Sequence, residues 1–205
     1  MKKLKNILLI VVLTSLLLSI SASNTSLNIT TFIDDYLSIK YDKEFNEYLF
    51  ISIKRQKLFH VKNQSVVMEY NISSAKKGVG QEMNSEKTPQ GLHIVKEKIG
   101  DQLPIGAILK ERVFNGQIAT IYSDSTDISD DDVTTRIIWL SGTEYGINKG
   151  GNVDSYMRYI YIHGTPEEGL IGQPASHGCI RMLNTDIIAL YNSIDLNTPV
   201  LILNF

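Results

Sequence analysis

Tyr159-Ile160-Tyr161-Ile162-His163-Gly164-Thr165 is followed, one short loop later, by Pro174-Ala175-Ser176-His177-Gly178-Cys179-Ile180-Arg181-Met182. The first half predicts a strand over Arg158 to His163, because strict alternation places Tyr159, Tyr161 and His163 on one face. The second half holds the only cysteine of the chain, and the two segments together hold two of its four histidines. The loop between them carries Gly169, Gly172 and Pro174, a composition that suits an open rim better than a packed segment.

Working outward, the chain reads as short strands. Leu49 to Lys54, Lys57 to Val61 and Ser65 to Ile72 are rich in β-forming residues. Leu109 to Phe114 and Gln117 to Tyr122 flank Asn115-Gly116, a dipeptide that favours a tight hairpin because both central residues need positive φ. Ser123 to Asp132 is a polar loop, Val133 to Leu140 a further strand, and Pro199 to Leu203 the last one. Asp186 to Ser193 is the one clear helix, with Ile187, Leu190 and Tyr191 on one side and Asn184 or Thr185 as its cap. Many short strands and one helix after Cys179 predict a mainly β domain of mixed, sandwich-like sheets.

Composition agrees with a folded globular domain. With 205 residues, 43% hydrophobic and 20% charged, the chain has enough apolar content for one well-buried core. A formal net charge of −2 supplies no electrostatic reason to bind nucleic acid or an anionic membrane. Residues 1–23 read as a secretory signal: Lys2, Lys3 and Lys5, an uncharged run from Ile7 to Ile20, then Ser21-Ala22-Ser23. The apolar run is shorter than the ~20 residues of a membrane span. Residues 24–47 read as a linker ending in a short surface helix with Phe32, Ile33, Leu37 and Ile39, and residues 48–205 as the catalytic domain.

An unpaired cysteine in an exported protein is either inert and buried or chemically employed. Cys179 has the surroundings of a nucleophile. A thiol titrating near ~8.5 needs a base or a positive field, and His163 arrives at the end of a strand, as a fixed base should. Gly178 allows close backbone approach and turns peptide N–H groups outward, where they can stabilise an oxyanion. Taken singly, each of these residues has an ordinary structural explanation. A metal set of His163, His177 and Cys179 is the weaker alternative, because it lacks an evident fourth ligand and metal-type spacing.

Ser176-His177-Gly178-Cys179-Ile180-Arg181, with His163-Gly164-Thr165 upstream, resembles the signature of the L,D-transpeptidase (YkuD-like) family. Gly78-x-Gly80, Ser85, Thr88-Pro89-Gln90-Gly91 and Arg136-Ile-Ile-Trp-Leu-x-Gly142 resemble the family pattern as well. The resemblance implies a cysteine acyltransferase of the cell wall, without cofactor or metal. Cys179 would attack a peptidoglycan stem peptide and release terminal D-Ala. The acyl group would pass to an amine, as a 3→3 cross-link or a lipoprotein attachment, or alternatively to water in a carboxypeptidase or amidase. It also implies His163 as general base oriented by the Gly164 carbonyl, with His177 and Gly178 supporting the thiolate and pocket. Arg181 and Ser176 would face substrate, Arg181 by gripping a carboxylate, with a salt bridge as its alternative role. A monomer in the periplasm, with stem peptides and a wall-anchored lipoprotein as partners, completes the expectation.

Overall fold

The computed structural model describes residues 29–128 and 131–205; residues 1–23, expected to be a signal, and residues 24–28 lie outside them. Ten strands follow one another as β1 Glu47–Ser52, β2 Lys57–Lys62, β3 Ser65–Asn71, β4 Gly91–Ile99, β5 Ala107–Lys110, β6 Val113–Ile118, β7 Thr134–Gly142, β8 Tyr161–Gly164, β9 Ile180–Met182 and β10 Pro199–Leu203. Helix α1 (Ile29–Tyr41) precedes them, and α2 (Asn184–Ser193) lies between β9 and β10.

All ten strands belong to one mixed sheet, in the order β3-β2-β1-β10-β4-β7-β5-β6, with β8 on β7 and β9 on β8. The pairs β1/β10 and β8/β9 are parallel. The sheet curls far enough for the segment beyond β3 to meet β9, where Ser73 and Arg181 exchange backbone hydrogen bonds of 2.9 Å in both directions. The expected sandwich-like packing is therefore achieved by one sheet folded over its own core.

Why β1 reads as unbroken hydrophobic sequence is now physical. Leu49 and Ile51 enter the main core with Ile138, Ile162, Ile180, Leu190 and Val200. Tyr48 and Phe50, pointing the other way, pack under α1 with Phe59 and Leu201. Alternation persists, but both faces are covered. Ile33 and Leu37 of α1 are 1% exposed, at helical spacing, and Tyr48 donates to Asp34 at 2.8 Å. The predicted surface helix is thus docked onto the sheet, with Ile39 left in solvent.

Three further expectations are corrected. The tight turn of the β5–β6 hairpin is Glu111-Arg112, both at positive φ, since Lys110 pairs with Val113. Asn115-Gly116 lies inside β6, where Gly116 takes φ 86 and the register shifts between Ala107 and Leu109. Strand β8 is shorter than Arg158 to His163: Tyr159 sits at φ 57 in a turn and is half exposed. Helix α2 starts at Asn184 without a local side-chain cap; Glu168 instead accepts the Asn184 N–H at 2.8 Å and its amide at 2.7 Å.

Candidate active site

His163 and Cys179 are brought together by the parallel β8/β9 ladder. Register places His163 opposite Arg181 and Ile162 opposite Ile180, so Cys179 leads into β9 beside Tyr161. Residues two apart on a strand share a face, which puts His163 and Cys179 on one side, diagonal neighbours across the ladder. The thiol is partly open to solvent. Its sulfur lies 3.3 Å from the Tyr161 N–H, which donates to it, and donates to the Tyr159 carbonyl at 3.3 Å.

The imidazole of His163 is 1% exposed, and its Nδ1 lies 2.7 Å from the Gly164 carbonyl. A carbonyl can only accept, so Nδ1 carries the proton and Nε2 of the neutral ring is the free lone pair. Gly164 is required here by space: a Cβ would stand 2.8 Å from the Thr134 carbonyl and against the Asn184 amide oxygen. Burial lowers the His163 pKa, against the opposing pull of Asp131. Burial likewise pushes the Cys179 thiol up to about 12, with the Tyr161 N–H acting in the other direction. Both shifts favour a resting pair of neutral thiol and neutral imidazole.

The turn bearing Cys179 is pinned from within and from outside. Ser176 Oγ donates to the Cys179 carbonyl at 2.6 Å and accepts from the Gly178 N–H at 3.2 Å. Thr88, fully buried, donates to the Gly178 carbonyl at 3.0 Å and accepts from the Ala75 N–H. Gly178 itself takes φ +134, a conformation L side chains rarely adopt. The Gly178 N–H is thereby occupied, whereas the Cys179 N–H has no acceptor among the described residues.

Two residues expected to face substrate have their polar groups engaged within the fold. Ser176 is 1% exposed and is consumed by the turn. Arg181 is also 1% exposed, with Nε and Nη2 on Asp131 at 2.8 and 2.7 Å and Nη1 on Glu167 at 2.6 Å. Its guanidinium is saturated by two carboxylates, which is the salt-bridge alternative in buried form. His177 turns outward, more than half exposed, and its Nδ1 meets Asp131 at 3.0 Å.

Asp131 was not legible in the sequence, where Asp130-Asp131-Asp132 looks like a solvated run. In the structure it joins the loop before β7 to the turn bearing Cys179. Burial would raise its pKa, but His163, Arg181 and the His177 N–H together hold it below the ordinary carboxylate range. Arg158 escaped notice too: it donates to the carbonyls of Gly80, Gln81 and Lys87 and so shapes the Gly78–Gln90 loop beside the turn. A wall of Trp139, stacked on Tyr156 at 4.1 Å and edge-on to Tyr161 at 5.4 Å, completes the site. Among the described residues no cluster of His, Cys, Asp and Glu is arranged to hold a metal.

The domain is mainly β, with a buried histidine on β8 and the lone cysteine immediately before the parallel neighbour β9. Residues 46–202 match the family model described as YkuD, the L,D-transpeptidase catalytic domain, and the chain belongs to that family. Among solved structures it is similar to the L,D-transpeptidase of Xylanimonas cellulosilytica DSM 15894, at 19% identity, covering 78% of this chain and 62% of that one, with a TM-score of 0.43. It is similar to an L,D-transpeptidase from Mycobacterium smegmatis, at 16% identity, 77% and 58% coverage and TM-score 0.45. The Enterococcus faecium catalytic domain acylated by ertapenem matches at 18% identity, 78% and 99% coverage and TM-score 0.46. The chain thus spans less than two thirds of the first two structures. No curated protein sequence matches it.

Proposed function

We propose that this chain is a cysteine L,D-transpeptidase acting on peptidoglycan stem peptides through an acyl-enzyme on Cys179. The observation that carries this reading is the shared face of Cys179 and His163, with Nδ1 of His163 committed to the Gly164 carbonyl. That tautomer leaves Nε2 as the base. As the sulfur bonds to the scissile carbon, Nε2 takes the thiol proton and the Cys179 N–H supports the oxyanion. The carbon–nitrogen bond to D-Ala breaks, and the proton passes from Nε2 to the departing amine. An acceptor amine then displaces the sulfur, returning a proton through Nε2 to the thiolate. Amine acceptors give a 3→3 cross-link or a lipoprotein attachment.

The basic, apolar and small-residue order of residues 1–23 supports export to the periplasm. Incubation with disaccharide tetrapeptide, followed by mass spectrometry, tests the reading. Cross-linked dimer is expected; tripeptide alone would make the chain a hydrolase. Ertapenem, which acylates the Enterococcus faecium domain, probes the nucleophile. A single covalent adduct should map to Cys179, and an adduct that survives Cys179→Ala overturns the mechanism.

A further inference from the structure

The β5–β6 hairpin reaches the site through its turn. Glu111 and Arg112 occupy its two central positions at φ 48 and 70, values uncommon for non-glycine residues that persist where the surroundings enforce them. What encloses Arg112 is aromatic. Its guanidinium lies 5.1 Å from the Trp139 ring centre and 5.2 Å from that of Tyr159, with Nη1 3.4 Å from the Tyr161 hydroxyl. No carboxylate pairs with it among the described residues, its neighbour Glu111 acting only through the field. Tyr159 and Tyr161 are also the residues whose carbonyl and N–H touch the Cys179 sulfur.

We propose that Arg112 is the specificity-determining residue that binds the free carboxylate of the donor peptide. Aromatic faces fix the guanidinium plane and leave its remaining N–H donors unfilled, the geometry suited to a two-pronged carboxylate contact. Arg181 cannot serve, because Asp131 and Glu167 fill it. The transpeptidase reading, on which the identity of this ligand rests, requires a donor whose departing residue ends in a carboxylate. The departing residue lies on the far side of the scissile bond from the acyl chain, within reach of a group seated on the residues that hold the thiol.

Two measurements decide it. Cys179 is first titrated with an anionic disulfide, dithiobis(nitrobenzoate), and a neutral one, dithiodipyridine. Arg112→Gln should slow the anionic reagent severalfold relative to the neutral one, and Arg112→Lys should recover part of the difference. An unchanged ratio overturns the anion site, whatever the natural substrate. Next, tetrapeptide donors ending in a free carboxylate or in an amide are compared. Arg112→Gln should raise KM for the carboxylate donor by about tenfold or more, as expected for a lost charge-assisted contact, and should erase the preference over the amide. A preference that survives overturns the assignment to donor carboxylate. If the unaltered enzyme processes neither donor, the transpeptidase reading falls while the reagent ratio still reports on Arg112.

Discussion

Cys179 and His163 rest as neutral groups, and their chemistry is conditional on substrate. Because burial raises the thiol toward about 12, alkylation by iodoacetamide should climb with pH without a plateau near neutrality. A plateau around pH 7 would reveal a preformed thiolate–imidazolium pair and contradict that resting state. Replacing His163 with Ala should lower the acylation rate by on the order of 10²–10⁴, the range for a lost general base. His177→Ala should cost less, since His177 faces Asp131 and solvent rather than the sulfur; stopped-flow acylation of both variants gives the comparison, and equal losses would sink the division of roles. The residues of the proposed reacting pair were legible here, because Cys179, His163 and Gly178 sit close together along the chain. The sequence left Arg181 open between a substrate carboxylate and a salt bridge, because a guanidinium near a thiol looks the same whether free or paired. Only the fold reveals that Glu167 and Asp131, distant in sequence, converge on it.

Elements matter through what they hold in register. Strand β9 and the loop before β7 are joined by the buried Arg181–Asp131–Glu167 cluster. Removing the cation alone strands two carboxylates, so Arg181→Met should destabilise the fold by about 3–5 kcal/mol, read from urea unfolding. Glu167→Gln combined with Arg181→Met should recover part of that loss, and a combination less stable than Arg181→Met would show that charge balance is not what the cluster provides. The hairpin was the least legible element. Asn115-Gly116 has the chemistry of a two-residue turn, yet Glu111-Arg112 turns the chain and the glycine absorbs a bulge. Local propensity yielded to tertiary contact, with Trp139, Tyr159 and Tyr161 gathering Arg112. Strand β4 also went unread, its apolar start blending into the Thr88-Pro89-Gln90-Gly91 turn. The helix α2 was readable because its apolar spacing is local, but its cap was not, since Glu168 reaches it from another turn.

Across the whole molecule, acid should be the weak side. His93 is fully buried, its Nδ1–H donating to the Gly91 carbonyl at 3.0 Å and its Nε2 accepting from the Ser155 hydroxyl at 2.9 Å. Burial lowers its pKa to about 4. Between an unfolded value near ~6.5 and that folded value, the unfolded chain binds the extra proton, so stability falls as pH falls through this window. The contribution of His93 is about 3 kcal/mol, and buried His163 acts in the same direction. Urea unfolding measured from pH 7 to pH 4 should show the decline and His93→Gln should flatten it; a flat profile for the unaltered protein would refute the linkage. The parallel pairing of Leu49 with Val200 and Phe50 with Leu201 sets β10 between β1 and β4, deep in the sheet. During synthesis the seam between β1 and β4 stays open until Pro199–Leu203 has emerged. Closing so long a loop is entropically costly and slow, so the sheet stays unfinished until β10 docks, and the thiol acquires its pocket only late in folding.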